Sequence, residues 1–163
     1  MKELKQESFY TPPLPKQPRK YIPIYQVTLV REGTVKVYDK CLTAPKQAAD
    51  LAREYIGSVD RETFIILMLN TKNYIIGINT VSIGSLSASI VHPREIFKPA
   101  MLCNSASVIL SHNHPSGHPD PSQEDLQVTR RLVDAGNVLG VAIRDHIIIG
   151  ADSYFSFKEK GLI

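Results

Sequence analysis

The chain has 163 residues, of which 43% are hydrophobic and 21% charged, the composition of one ordinary globular domain. No stretch approaches the ~18 uninterrupted apolar residues of a membrane span. Residues 1–20 have no apolar core of the kind that a secretory signal carries. Cys41 and Cys103 form no CxxC spacing, so we expect two buried thiols in a reducing cytoplasm.

The charge of the chain is unevenly distributed. Residues 1–20 hold five of the 19 basic and two of the 16 acidic side chains, which accounts for the whole formal net charge of +3. The rest of the chain is neutral and lacks the basic surplus that binding to a phosphate backbone needs. The same segment carries four of the 11 prolines. We therefore predict a disordered, Pro-rich basic arm over residues 1–20 and one domain over residues 21–163.

The first part of the domain predicts a hairpin and a helix. Two runs rich in β-branched and aromatic residues, 22–30 and 34–40, are joined by a short turn that contains glycine. Residues 44–56 have the apolar spacing of a helix. Thr43 is the expected N-cap of this helix, and Gly57 is the expected residue after its end.

Two long apolar runs dominate the middle of the chain. The runs 62–70 and 73–82 are almost continuously hydrophobic, which predicts central strands that are covered on both faces. The small, polar stretch 84–91 predicts a loop. Residues 92–104 predict a helix, although Pro99 should kink or shorten it.

The last part of the chain alternates strands with one strong helix. Residues 105–111 predict a buried strand, and residues 121–140 predict the clearest helix of the sequence. The runs 141–150 and 154–157 predict the final strands. Helices alternate with strands, but several strands are consecutive, so the predicted class is mixed α and β around one central sheet.

Residues 111–125, SHNHPSGHPDPSQED, contain three of the five histidines of the chain. In an extended chain alternate side chains point to the same side, so His112 and His114 can bind one ion. The turn-rich spacer folds the start of the next helix back over the strand end and brings Asp125 within reach. Two imidazoles, one carboxylate and an open fourth position favour catalytic zinc over magnesium or a structural zinc.

Each part of this pattern also has a simpler explanation. Ser122 and Asp125 have the spacing of a capping box at a helix start, and a His-x-His pair alone is common. The combination of strand end, His-x-His, turn-rich spacer and helix start is much more specific than either part. The two explanations can coexist, because a helix N-terminus favours a carboxylate whether or not it binds a metal.

The stretch matches the JAMM (MPN+) metalloprotease signature, which is His-x-His, seven residues, Ser, two residues, Asp, at His112, His114, Ser122 and Asp125. The segments VHPREIFKPA, SVILSHNHPSG and DHIIIG also resemble the RadC-like branch of that superfamily, bacterial proteins labelled as DNA repair proteins. The resemblance covers residues 21–163. It implies a JAB/MPN architecture, similar to that of cytidine deaminases, with a central, mostly antiparallel sheet flanked by helices.

The resemblance also implies an activity. JAMM enzymes bind one zinc ion per chain with water in the open position and cleave peptide or isopeptide bonds, so we expect a peptide or protein substrate. A glutamate on an early strand acts as their general acid and base, and Glu62 occupies that position here. By the same resemblance, the Ser122 hydroxyl stabilises the oxyanion of the reaction.

Glu62 is also supported by the residues themselves. A zinc hydrolase needs a base near its water, and Glu62 is a carboxylate at the mouth of an apolar strand. Its rivals are weaker candidates. Glu54 lies on a helix face that should be exposed, and Glu95 is explained by the helix N-terminus beside it.

Four further polar residues rank below these. His118 is predicted to be an exposed loop residue. Asp120 competes with Asp125 as a ligand, but a residue at a helix start is held more rigidly. Asp145 and His146 predict a polar step in an edge or near-edge strand, as a hydrogen-bonded pair, with orientation of a metal ligand as the alternative.

Two functions remain open on the sequence. The leading hypothesis is a zinc-dependent metallohydrolase, and the alternative is a DNA-repair-associated or nucleic-acid-processing factor of the RadC type. Longer RadC proteins carry a helix-hairpin-helix segment where this chain has a Pro-rich arm, so we do not expect the domain itself to bind DNA. An inactive relative with a purely structural zinc is disfavoured by the intact motif. A zinc nucleoside deaminase is excluded because the sequence has no Pro-Cys-x-x-Cys.

Overall fold

The computed structural model describes residues 21–37, 40–84 and 91–163. These residues form three helices: α1 (Pro45–Ile56), α2 (Pro93–Leu102) and α3 (Gln123–Leu139). They also form five strands: β1 (Thr63–Leu69), β2 (Ile75–Ile83), β3 (Ser107–Asn113), β4 (Ala142–Ile149) and β5 (Tyr154–Ser156). The predicted arm over residues 1–20, and most of the predicted loop 84–91, lie outside the described residues.

The strands form one five-stranded sheet in the order β2-β1-β3-β4-β5. All neighbours pair antiparallel except β3 and β4, which are parallel and are connected through α3. The mixed class and the mostly antiparallel central sheet predicted from the sequence are therefore confirmed. Within the described residues, no helix is both long enough and apolar enough to cross a bilayer.

Helices cover both faces of the sheet because the side chains of its central strands alternate between two apolar clusters. Phe64, Ile66 and Met68 of β1 pack with α2 and α3 on one face. Ile65 and Leu67 pack with α1 on the other. Every residue of β1 and of β3 is buried, as predicted for a strand that is covered on both faces.

The prediction of a central strand over residues 73–82 is wrong. β2 lies at the edge of the sheet, and most of its residues are only partly buried. An apolar run indicates that a strand is hydrophobic, but it does not reveal whether a neighbour pairs with both sides of the strand. The strand exists at the predicted place, and its position in the sheet is the part that the sequence did not determine.

The predicted hairpin over residues 22–30 and 34–40 is also wrong. Residues 21–37 form no strand, and Ile24 is 99% exposed. Val35 and Val37 pack against the apolar cluster on the α1 side of the sheet, and the Ile75 backbone N–H donates to the Lys40 carbonyl at 2.8 Å. High β propensity gives a strand only where a neighbouring strand is available to pair with, and the strand pairs of the described residues include none of residues 21–37.

The helix boundaries are close to those predicted. α1 begins one residue later than expected, with Ala44 rather than Thr43 as its N-cap. Pro45 accounts for the difference, because proline is favoured at the first helical position. The side-chain amide oxygen of Gln47, Oε1, accepts hydrogen bonds from the backbone N–H groups of Thr43 and Ala44. α2 keeps Pro99 in its second half and ends at Leu102.

Candidate metal centre

The crossover from β3 to α3 assembles the three predicted ligands. His112 lies near the end of β3, His114 follows the strand, and Asp125 occupies the first turn of α3. One ligand atom from each of these residues lies within 4.8 Å of the other two. His112 and Asp125 are buried, whereas His114 is partly accessible. The group therefore lies at the carboxyl end of a central strand, with one side open to solvent.

The distances within the group fit a tetrahedral ion. Ligand atoms about 2.0–2.1 Å from such an ion are roughly 3.3 Å from one another. The Nε2 atoms of His112 and His114 are 3.1 Å apart. His112 Nε2 lies 3.3 Å from Asp125 Oδ1, and His114 Nε2 lies 3.5 Å from Asp125 Oδ2. These three residues can hold one metal ion with little rearrangement.

The opposite nitrogen of each imidazole is already engaged. His114 Nδ1 donates to the carbonyl oxygen of His118 at 2.8 Å, and His112 Nδ1 contacts His146 Nε2 at 3.0 Å. Both Nε2 atoms are thus left facing Asp125. The His118 side chain is exposed, as predicted. Its carbonyl, rather than its imidazole, contributes to the site.

Asp125 combines the two explanations that the sequence offered. Its Oδ2 accepts from the Ser122 backbone N–H at 2.7 Å and from the Ser122 hydroxyl at 2.6 Å. Ser122 Oγ in turn accepts from the Asp125 backbone N–H at 3.1 Å, which completes the capping box. Oδ1 remains directed at His112, and Oδ2 also lies 3.5 Å from His114 Nε2. One carboxylate therefore caps α3 and completes the ligand group.

The electrostatics of Asp125 and His112 match the protonation states that a cation requires. Burial raises the pKa of Asp125, but the imidazoles of His112 and His114, 3.3 and 3.5 Å from its oxygens, outweigh it and hold that pKa far below its usual range. Burial lowers the pKa of His112. An ionised carboxylate beside a neutral imidazole is the arrangement that binds a divalent metal.

Glu62 lies beside this group. Phe64 of β1 is paired with His112, and Glu62, two residues before Phe64, lies close enough for its charge to act on both His112 and His114. The pKa of His114 is raised mainly by its hydrogen bond with Asp125, and the charge of Glu62 adds to that rise. Asp120, the alternative ligand, is exposed and is not a member of the ligand group.

Asn113 fixes the backbone on both sides of Glu62. Its Oδ1 accepts from the Thr63 backbone N–H at 2.8 Å, and its Nδ2 donates to the Arg61 carbonyl at 3.0 Å. Asn113 was not identified from the sequence, because it occupies the variable position of His-x-His. The signal in the sequence that could have pointed to Asn113 is that it is a polar residue at the end of a buried strand.

His146 and Asp145 point to opposite sides of β4. The His146 ring is fully buried beside His112, and its Nδ1 contacts Thr129 Oγ1 at 2.6 Å. Asp145 accepts from the Ser156 hydroxyl at 2.6 Å and from the His146 backbone N–H at 2.7 Å. The predicted pair is therefore hydrogen-bonded through the backbone, and only His146 reaches the ligand group. Thr129 was not identified from the sequence.

Comparison with known proteins places most of the chain in one group of relatives. The family described as RadC-like JAB domain matches residues 42–162. A UPF0758 protein of Desulfitobacterium hafniense is 50% identical over 122 residues, 75% of this chain and 54% of the relative. A UPF0758 protein of Caldanaerobacter subterraneus is 53% identical over 120 residues, 74% of this chain and 52% of the relative. The chain thus spans about half the length of the curated relatives it matches.

Proposed function

Because the chain belongs to the RadC-like JAB domain family and holds two histidines and an aspartate in metal-binding geometry, we propose that it is a zinc-dependent hydrolase of peptide or isopeptide bonds. The observation that carries this proposal is the convergence of His112 Nε2, His114 Nε2 and the Asp125 carboxylate beside Glu62. A metal ion with a purely structural role would need neither a further carboxylate nearby nor a side of the site that is accessible to solvent. His114 supplies that accessible side.

Zinc is the ion that the ligand set favours. Two imidazoles and one carboxylate are the ligands of many catalytic zinc sites, in which a fourth position stays open. When bound there, zinc would lower the pKa of a water molecule to about 7 and polarise a substrate carbonyl. Neither Cys41 nor Cys103 belongs to the ligand group.

Glu62 is the proposed general acid and base. Its charge acts on His112 and His114, and its backbone is fixed through Asn113 and through a hydrogen bond from the Gly84 N–H to its own carbonyl at 2.8 Å. A carboxylate held there takes the proton of the attacking water. It then returns that proton to the nitrogen of the leaving amine.

Ser122 is the proposed donor to the oxyanion. Its hydroxyl hydrogen is directed at Asp125 Oδ2, immediately beside the ligand group. Rotation about the Cβ–Oγ bond redirects this hydrogen to the substrate carbonyl as negative charge develops on its oxygen. The backbone N–H of Ser122 meanwhile keeps its hydrogen bond to Asp125 and holds the carboxylate in place.

The proposed substrate is an extended peptide or a protein, and the proposed location is the cytoplasm. Cys41 and Cys103 form no disulfide, which supports a reducing compartment. Both thiols are half-buried rather than buried as predicted from the sequence. Neither lies at the proposed active site.

Glu62→Gln tests the proposed chemistry. The amide keeps the size of the side chain but cannot take a proton, so hydrolysis of a peptide and isopeptide library should fall about 10²–10⁴-fold while bound zinc is retained. Activity is measured by mass spectrometry of the cleaved products. Glu54→Gln, the same change on the exposed face of α1, is the matched control and should remain active. Undiminished hydrolysis by Glu62→Gln would refute the assigned role.

A further inference from the structure

A continuous chain of hydrogen bonds runs from the metal ligands into the core. His112 Nδ1 meets His146 Nε2 at 3.0 Å, and His146 Nδ1 meets Thr129 Oγ1 at 2.6 Å. Thr129 Oγ1 lies 2.6 Å from the carbonyl oxygen of Asp125, one turn earlier in α3. All of these atoms belong to buried residues. The chain therefore begins at one metal ligand and ends on the backbone of another.

The last contact fixes the direction of every other hydrogen bond in the chain. The Asp125 carbonyl can only accept, so the single hydroxyl hydrogen of Thr129 must point to it. Thr129 Oγ1 must then accept from His146, which places the ring hydrogen of His146 on Nδ1. His146 Nε2 carries a lone pair and accepts from His112 Nδ1–H. The lone pair of His112 is left on Nε2, the atom that faces Asp125 and His114.

We propose that Thr129 and His146 are positioning residues that impose the metal-binding tautomer on His112. The opposite tautomer of His112 would carry its hydrogen on Nε2, where that hydrogen would block the metal position. Such a tautomer would need His146 to donate to His112, which would leave the Thr129 hydroxyl between two acceptors with one hydrogen to donate. The inference rests on the proposed function, because it assigns how one of the metal ligands is prepared.

Aromatic packing holds the His112 and His146 rings in the orientations that this chain of hydrogen bonds requires. Phe64 stacks on His112 with ring centroids 5.6 Å apart and planes 10° apart. Phe157 stacks on His146 at 4.8 Å and 20°. The two imidazoles are thus held between Phe64 of β1 and Phe157, the residue after β5, and neither ring can turn over without displacing a buried side chain.

Thr129→Val is the variant that tests this chain of hydrogen bonds, with Thr129→Ser as its matched control. Valine keeps the shape of threonine but removes the hydroxyl, whereas serine keeps the hydroxyl. Zinc affinity, measured by competition with a chromophoric chelator, should fall about 10–100-fold in Thr129→Val and much less in Thr129→Ser. Equal affinity in the parent and both variants would overturn the inference while leaving the zinc site itself intact.

The tautomer can also be read without any metal. Two-bond ¹H–¹⁵N correlation spectra of the metal-free protein distinguish imidazoles protonated on Nδ1 from those protonated on Nε2. We expect His112 to carry its hydrogen on Nδ1 in the parent and in Thr129→Ser, and to shift toward Nε2 in Thr129→Val. A parent spectrum with His112 protonated on Nε2 would overturn the inference. This readout stays informative even if the parent binds no zinc, which would refute the proposed function instead.

A second pair of variants covers the case in which Thr129→Val fails to fold. His146→Gln retains an acceptor near the original Nε2, whereas His146→Phe keeps the stacking with Phe157 and removes the acceptor. Zinc affinity should be partly retained in His146→Gln and reduced in His146→Phe. A higher zinc affinity in His146→Phe than in His146→Gln would contradict the proposed role of His146.

Discussion

Single side chains in this protein serve several partners at once. Asp125 divides its oxygens between the cap of α3 and the histidines, and Asn113 divides its amide between the two neighbours of Glu62. Such sharing couples the site to the local backbone. A substitution can therefore act on the proposed chemistry without touching a metal ligand.

Asn113→Ala should separate metal binding from catalysis. Loss of both hydrogen bonds frees the backbone on either side of Glu62, and a misplacement of about 1 Å can cost roughly 10²-fold in rate. We expect kcat to fall by about 10–100-fold while the variant retains its zinc. Metal analysis and hydrolysis assays on the same preparation check this. An unchanged kcat, or a loss of zinc equal to the loss of activity, would contradict the assigned role.

The buried imidazoles should make the metal-free protein sensitive to mild acid. Burial holds the pKa of His146 well below 6.5 and also lowers that of His112, whereas His114 is shifted upward by its hydrogen bond with Asp125. Below about pH 6.5 the unfolded chain therefore binds more protons than the folded chain, and the free energy of unfolding decreases.

The Tm of the chelator-treated protein should accordingly fall between about pH 7.5 and about pH 5.5. His146→Phe, which has one buried imidazole fewer, should show a shallower decrease. Differential scanning fluorimetry across this range measures both slopes. A Tm that stays constant or rises on acidification would show that the histidines are protonated without penalty in the folded state.

At the scale of elements, the unit from β3 through α3 to β4 carries the site, and it was also the best predicted part of the chain. Its boundaries are marked by local signals, namely Ser122 at the N-cap and Gly140 in the left-handed conformation at the C-cap. The predictions that failed concern the hairpin within residues 22–40 and the position of β2 in the sheet. Both depend on which strands become neighbours, and no local pattern encodes that pairing.

Gly150→Ala should disturb the site from the end of β4. A Cβ at this position would lie 2.6 Å from the Gly117 carbonyl oxygen and 2.9 Å from Pro119 Cδ. The loop that contains these residues also supplies the His118 carbonyl that orients His114. We expect about 1–3 kcal/mol of destabilisation, as for other overpacked positions, together with weaker zinc binding.

Chemical denaturation and zinc competition measure the two effects of Gly150→Ala. Gly33→Ala is the matched control, because a Cβ there meets no atom within 4 Å. The control should retain both stability and zinc affinity. If Gly150→Ala behaves like the control, the loop is not held against β4 as described.

At the scale of the whole molecule, the sequence predicted the class of the protein and the candidate ligands, and it offered His146 as an orienting residue only as an alternative, whereas Asn113 and Thr129 were not identified. His112, His114, Ser122 and Asp125 were identified because a short signature fixes their spacing along the chain. His146 reaches the site from a separate strand 34 residues further along, and its role depends on a lateral contact between β3 and β4. Contacts of this kind follow from topology and register, which local sequence does not specify.

The distribution of charge bears on the alternative function. The basic surplus lies entirely within residues 1–20, and the remaining residues are neutral in sum. Binding to a nucleic acid backbone gains most of its affinity from basic side chains. We therefore propose that any association with DNA depends on residues 1–20 or on a partner.

The proposed hydrolase requires zinc at His112, His114 and Asp125. The deciding measurement is elemental analysis of the purified protein by inductively coupled plasma mass spectrometry, beside Asp125→Ala and the matched control Asp120→Ala in the exposed loop. We predict one zinc per chain in the parent and in Asp120→Ala, and loss of that zinc in Asp125→Ala. Iron as the stoichiometric metal, no metal in the parent, or full zinc in Asp125→Ala would contradict the account.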